Sequence, residues 1–184
     1  MNQQDLKKYR NMFIKDIIQG CMLWPNHSVK DLVDKSSSFV QSFSQEEKDM
    51  FLATSCFVLA YDNVKYWLRL GANPNAFVSK DGSKSSIFMS MSIWGSRNSI
   101  YDPNKICDLL LRHGADMNHQ DFMGQTALFI CLANENYCMA RCLVEKGCLH
   151  TATSLGDTPL AYLQREKPNH TEMISFLKEK YNLE

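Results

Sequence analysis

The sequence predicts an all-α array of helix–turn–helix units stacked side by side, and three observations carry that expectation. Amphipathic segments stop at a glycine three times, at Gly71, Gly114 and Gly147. Two of these stops, Gly114 and Gly147, lie 33 residues apart, and a fixed period of that size is the signature of a repeated supersecondary unit. A threonine followed by an apolar run then restarts the chain as helix at Thr126 and Thr158, each with a glycine two positions earlier, Gly124 and Gly156.

Taken in order, residues 1–44 read as two helices. Leu6, Tyr9, Phe13, Ile17 and Cys21 recur at helical spacing, as do Val29, Leu32, Val33, Ser36, Val40 and Phe43, with "WPNHS" as the break between them. The end of a stacked array exposes an apolar face that must be covered, so this pair is expected to be an N-terminal helical cap. Residues 45–184 are then expected to hold the array, in units of about 45–78, 79–120, 121–153 and 154–184. In the first, "KDMFLATSCFVLAYDNVKYWLRLGAN", the turn between helices is short and no threonine–proline start occurs. In the second, "DGSKSSIFMSMSI" (81–93) starts a helix and "ICDLLLRHGADMN" ends one.

The third unit is the most regular, with "DFMGQTALFICLA" (121–133) followed by "MARCLVEKGCLH". The fourth, "SLGDTPLAYL" (154–163) followed by "MISFLKEKYNLE", puts Pro159 at the first helical position, where its missing N–H costs nothing. The glycine stops need a left-handed backbone that a residue without Cβ adopts most cheaply, and the threonine side chains are placed to cap the new helices. The charge-rich last helix, with Glu172, Lys178, Glu179 and Lys180, is the expected C-terminal cover.

On these residues the chain resembles the ankyrin-repeat family. "HGADMNHQDFMGQTAL" (113–128) matches the family's glycine–alanine–aspartate run, its turn and its threonine-x-leucine helix start, and the resemblance covers about residues 45–184. It implies an ankyrin-repeat solenoid that binds proteins without catalysis, through turn tips and first helices that form a concave surface. The departures are specific. Gly71 to Gly114 is 43 residues, ten beyond the period, with the excess around "WGSRNSIYDPNK" (94–105). The family's histidine after the helix-start leucine is aligned with Phe88, Phe129 and Ala161, which implies packing in place of its hydrogen bond. Asn118 stands where the family has an asparagine that braces the turn and is hydroxylated in some members; bracing is the expectation here.

Composition excludes several classes. Twenty basic residues balance twenty acidic ones, so no net field draws the chain to nucleic acid or to an anionic membrane. Charges and amides interrupt every apolar cluster of the first 24 residues, and no segment approaches 18 consecutive apolar residues. Neither a signal peptide nor a membrane span is expected. The seven cysteines form an odd set without framework spacing, most of them inside apolar patterns such as "ATSCFVLAY", "KICDLLL" and "LFICLAN". Free, buried cysteines fit a reducing, cytoplasmic compartment.

Chemistry-bearing clusters are sparse. Cys138, Cys142, Cys148 and His150 fall within thirteen residues, but the spacing matches no zinc finger and the repeat alignment puts Cys142 on a buried face. No metal or cofactor is expected. The five histidines, His27, His113, His119, His150 and His170, are scattered, and no phosphate loop, metalloprotease or kinase signature is present, so no catalytic residue is assigned.

The candidate partner-binding residues are Phe77, Val78, His119, Asp121, Phe122, Met123 and Gln125 at turn tips, with Trp94, Arg97 and Tyr101 in or beside the insertion. Aromatics and arginine anchor interfaces, and loops on rigid scaffolds carry function. The expected partner is a protein, docked by a monomer. Two competing readings are a secreted bacterial or viral effector acting on a host protein in a host cytosol, as a scaffold or with unrecognised enzymatic activity, from the Lys-, Asn- and Ser-rich usage and Glu-rich tail, and self-association through the N-terminal cap.

Overall fold

The computed structural model describes residues 43–77, 85–94 and 102–183, and these residues hold eight α-helices. They are α1 (Gln45–Phe57), α2 (Tyr61–Arg69), α3 (Ile87–Trp94), α4 (Pro103–Arg112), α5 (Ala127–Ala133), α6 (Tyr137–Glu145), α7 (Pro159–Glu166) and α8 (Thr171–Tyr181). Apart from Phe43 and Ser44, the expected cap at 1–44 lies outside the described residues, as does most of the insertion at 94–105. None of the helices described is long and apolar enough to cross a membrane. The chain divides into two compact units, Met1–Pro74 and Asn75–Glu184.

In the first unit α1 packs against α2. Phe51 and Trp67 stack at 4.7 Å between ring centroids, and Phe43 meets both edge-on at 5.4 and 6.1 Å. All three rings are buried, and such pairs add about 0.5–1.5 kcal/mol beyond the area they bury. A reciprocal capping box opens α1: the Ser44 hydroxyl accepts the Glu47 N–H at 3.2 Å and the Glu47 carboxylate accepts the Ser44 N–H at 2.8 Å.

In the second unit the helices form two rows. First helices α3, α5 and α7 pack in succession, second helices α4, α6 and α8 do the same, and the pairs α5–α6 and α7–α8 close each repeat. The core runs between the rows through Ile87, Phe88, Met91, Ile106, Leu110, Leu128, Leu132, Leu143, Leu163 and Leu177, all buried. Glu172, Glu179 and Lys180 are exposed on α8, as expected of a covering helix.

Punctuation is local and repeated. Gly71, Gly114 and Gly147 have φ of 82°, 81° and 83°. At each, the glycine N–H and the next N–H turn back onto the final helical carbonyls, as in Gly114 to Leu111 and Ala115 to Leu110, both 3.0 Å. This closure satisfies two carbonyls that a helix end leaves bare. Thr126 and Thr158 cap α5 and α7, accepting the Phe129 N–H at 3.4 Å and the Ala161 N–H at 3.1 Å, and Pro159 opens α7.

One alignment needs correcting. The Ser86 hydroxyl accepts the Met89 N–H at 3.3 Å, so Ser86 holds the place of Thr126 and Thr158. Phe88 therefore corresponds to the helix-start leucine, and Met89 to the family's histidine. Met89 supplies a polar contact there, its sulfur accepting the Ser86 N–H at 3.4 Å. Phe129 does replace the histidine by packing, buried with its ring 4.9 Å from that of Tyr162. Ala161 is exposed.

Candidate functional site

Two adjacent turn tips, 121–125 and 153–157, carry the two most exposed large apolar side chains among the described residues, Phe122 and Leu155. In the first, Asp121 Oδ1 accepts the Met123 N–H at 2.9 Å and the Gln125 N–H at 2.8 Å. Its backbone N–H reaches the Gln125 carbonyl and its carbonyl accepts the Gly124 N–H, both at 3.0 Å. An aspartate can close its own turn this way because its carboxylate mimics a backbone carbonyl. The second tip repeats the pattern with Thr153, whose Oγ1 accepts the Asp157 N–H at 3.3 Å.

The tips are bonded to each other. The Met123 carbonyl accepts both the Ser154 N–H at 2.9 Å and the Ser154 hydroxyl at 2.7 Å. Gln120 Nε2 donates to the Gly124 carbonyl at 3.1 Å and to the Ala152 carbonyl at 3.2 Å. Approach this close requires a glycine at 124, where an added Cβ would lie 2.5 Å from the Ser154 nitrogen. With the polar groups of the tips turned onto one another, apolar side chains point outward: Phe122 is 80% exposed, Met123 41% and Leu155 83%.

The sequence-derived candidates divide accordingly. Asp121, Phe122, Met123 and Gln125 share one tip, with Phe122 and Met123 outermost and Asp121 engaged in holding the turn. Phe77 is half-exposed and its ring lies 4.9 Å from that of His119. Trp94 ends α3, and Val78, Arg97 and Tyr101 lie outside the described residues.

Leu155 was not among the candidates, although "SLGD" puts it where "FMGQ" has Met123. A second omission is an ion-pair cluster beside the second tip. Arg165 donates to both Asp157 carboxylate oxygens at 2.7 and 3.0 Å and to Glu166 at 2.8 Å, and its guanidinium holds the Asp157 carboxyl below the usual range.

The bracing expected of Asn118 is present. Its Oδ1 accepts the Leu149 N–H at 2.7 Å, two residues past the Gly147 stop. Asn75 does the same one joint earlier, accepting the Asp116 N–H at 2.7 Å and donating to the Gly114 carbonyl at 2.8 Å. Each asparagine is thus bonded at the glycine stop that follows it.

The cysteine–histidine cluster is spread over separate environments. Cys138 is exposed, while Cys142 and Cys148 are buried. The Cys142 thiol is drawn down chiefly by a bond from Cys107, and Cys148 sits 3.3 Å from the Tyr181 hydroxyl. Burial pushes the Cys56 and Cys131 thiols far up, which keeps them in the unreactive thiol form. Among the described residues no group of three or more His, Cys, Asp or Glu side chains is arranged to hold a metal ion.

Residues 97–184 match the family model for ankyrin repeats (3 copies). No curated protein matches the chain. The match spans α4 to α8, the stretch that holds the Gly114 and Gly147 stops, the capped starts at Thr126 and Thr158, the Asn118 brace and the two helical rows. Residues 97–184 of this chain are therefore ankyrin repeats, a type of module that generally serves protein–protein interaction.

Proposed function

We propose that the chain docks a partner protein, without catalysis, on the surface formed by the tips 121–125 and 153–157. The observation that supports this reading is the exposure of Phe122 and Leu155 on tips whose backbones are bonded to each other. An exposed phenylalanine on a braced turn contributes nothing to the core, and burying it against a partner returns about 1.5–3 kcal/mol. Because the tips are held by their own hydrogen bonds, little conformational freedom is lost on docking, and a few anchors can dominate affinity. Phe77, its ring tilted against that of His119, extends the apolar surface on the preceding tip. Trp94, Arg97 and Tyr101 remain candidates from the sequence.

The test is a combined substitution, Phe122→Ser, Met123→Ser and Leu155→Ser, in the full chain. Helical circular dichroism and urea midpoint are expected to match the unsubstituted protein. Binding to partners recovered with the unsubstituted chain and then purified is expected to weaken at least about thirtyfold, the equivalent of one anchor's 2 kcal/mol. Unchanged affinity for every purified partner overturns the proposed surface.

A further inference from the structure

The last joint of the array is closed by different chemistry from the two before it. Asn75 and Asn118 each stand four residues past a stop glycine and reach forward to the next stop. The residue in that register after Gly147 is Thr151, and its buried Oγ1 has no hydrogen-bond partner. The neighbouring His150 makes a bond of another kind, within the last repeat. Its Nε2 accepts the Leu160 N–H at 3.1 Å, and its ring lies 4.9 Å from that of Tyr181. Tyr181 in turn donates from its hydroxyl to the Cys148 carbonyl at 2.9 Å.

Leu160 lies in the first turn of α7, where backbone N–H groups have no helical acceptor. Thr158 takes the N–H of Ala161, and His150 takes that of Leu160 from outside the helix. The ring can accept at Nε2 only when that nitrogen carries no proton, so the joint requires neutral imidazole with its hydrogen on Nδ1. A proton on Nε2 would point a donor at a donor. It would also set a positive charge at the positive end of α7.

We propose that His150 makes the last repeat acid-labile, releasing the α7 N-terminus and the tip that carries Leu155 when its imidazole is protonated. A hydrogen bond to its own backbone favours the charged ring, and burial outweighs it. The Tyr181 hydroxyl beside the ring lies 3.3 Å from Cys148, whose thiol burial pushes up to about 11. From α8 the ring faces Tyr181, whose phenol burial likewise raises. Ahead of α7, Asp157 is already paired with Arg165. Half-burial accordingly holds the His150 imidazole below its ordinary value of 6.5. For a histidine depressed in the folded state, the contribution to stability is complete above 6.5 and is lost as pH falls toward the depressed value.

Amide exchange and imidazole NMR on the full chain test the proposal. His150 is expected as the Nδ1–H tautomer with a midpoint below 6.5. Protection of the Leu160 amide, corrected for intrinsic exchange, is expected to fall by up to about tenfold per pH unit between 6.5 and that midpoint. The Leu128 amide, at the equivalent place in α5 behind Thr126, should show no such step. His150→Gln keeps an acceptor near Nε2 without a titrating group, and should retain Leu160 protection across the range. A midpoint at or above 6.5, or Leu160 and Leu128 following the same pH course, overturns the proposal. That comparison uses the unsubstituted chain, so it decides the matter even if the Gln variant folds poorly.

Discussion

Gly124 and Gly114 pose a controlled comparison, because both have left-handed backbones and they differ in what stands nearby. Their φ values are 72° and 81°. An alanine at either carries the left-handed penalty of about 1–2 kcal/mol, partly offset by about 0.4–1 kcal/mol from a stiffer unfolded chain. At Gly114 nothing else lies within 4 Å of the new Cβ. At Gly124 the new Cβ meets the Ser154 nitrogen at 2.5 Å, the Thr153 carbonyl carbon at 3.0 Å and the Thr153 Cα at 3.2 Å. All three are backbone atoms and cannot swing aside. Relief to an ordinary contact of 3.4 Å moves the next tip back by about 1 Å, which breaks both bonds from Ser154 to the Met123 carbonyl, each contributing about 1 kcal/mol.

Gly114→Ala is therefore expected to lose about 1 kcal/mol and Gly124→Ala about 3 kcal/mol. Equilibrium urea denaturation followed by helical circular dichroism separates them, provided the two m-values agree. Equal losses would refute the argument that contact between tips, rather than local backbone strain, is what demands glycine at 124.

Two further substitutions probe the helix ends. Thr126→Ala removes the cap of α5 at a buried position and is expected to lower stability by about 1 kcal/mol, with Thr126→Ser restoring most of it in the same denaturation assay. Glu135 occupies the turn between α5 and α6 with φ of 58°, and its carboxylate pairs with Lys167 across to the next repeat. Glu135→Gly relieves the backbone and is expected to raise stability by about 0.5–1 kcal/mol at moderate salt, where an exposed ion pair contributes little. A lower urea midpoint for this variant would show that the Lys167 pair, not the backbone, governs that turn.

Glu135 also shows what was legible in the sequence and what was not. Helix stops could be read wherever glycine marked them, because glycine is the cheap solution to a left-handed closure. The same closure occurs without glycine at Leu59, Glu135 and Asn182, with φ of 56°, 58° and 52°. There the surrounding fold imposes a conformation that the residue does not advertise. Thr126 and Thr158 announced their caps, but Ser44 required recognition of its partner Glu47. The Phe88 register slipped by one for a related reason, since "SSIFM" offers two serines and only the hydrogen bond from Met89 selects the second. For the site, Phe122 and Met123 stood out as apolar residues in a polar turn. Leu155 passed unnoticed because its exposure depends on how the tip is presented. Arg165 escaped because its partner Asp157 lies eight residues away, across the helix start.

The braces between repeats carry a consequence for how the array opens. A stacked array is held by each repeat's own folding and by its contacts with neighbours alone. Where Asn118 braces the next stop, parting the two repeats breaks an exposed bond to the Leu149 N–H, worth about 0.5–1.5 kcal/mol net because water can replace it. Where Thr151 stands in place of such an asparagine, its hydroxyl is already orphaned and the neighbouring bond depends on a neutral imidazole. Local openings draw on the least-constrained part of a structure first. The bond from Leu160 to His150 is the one contact here that depends on a protonation state, so the α7 start opens first, against the hold of Asn118 and of the Ser154 bonds to the Met123 carbonyl on the start of the last repeat.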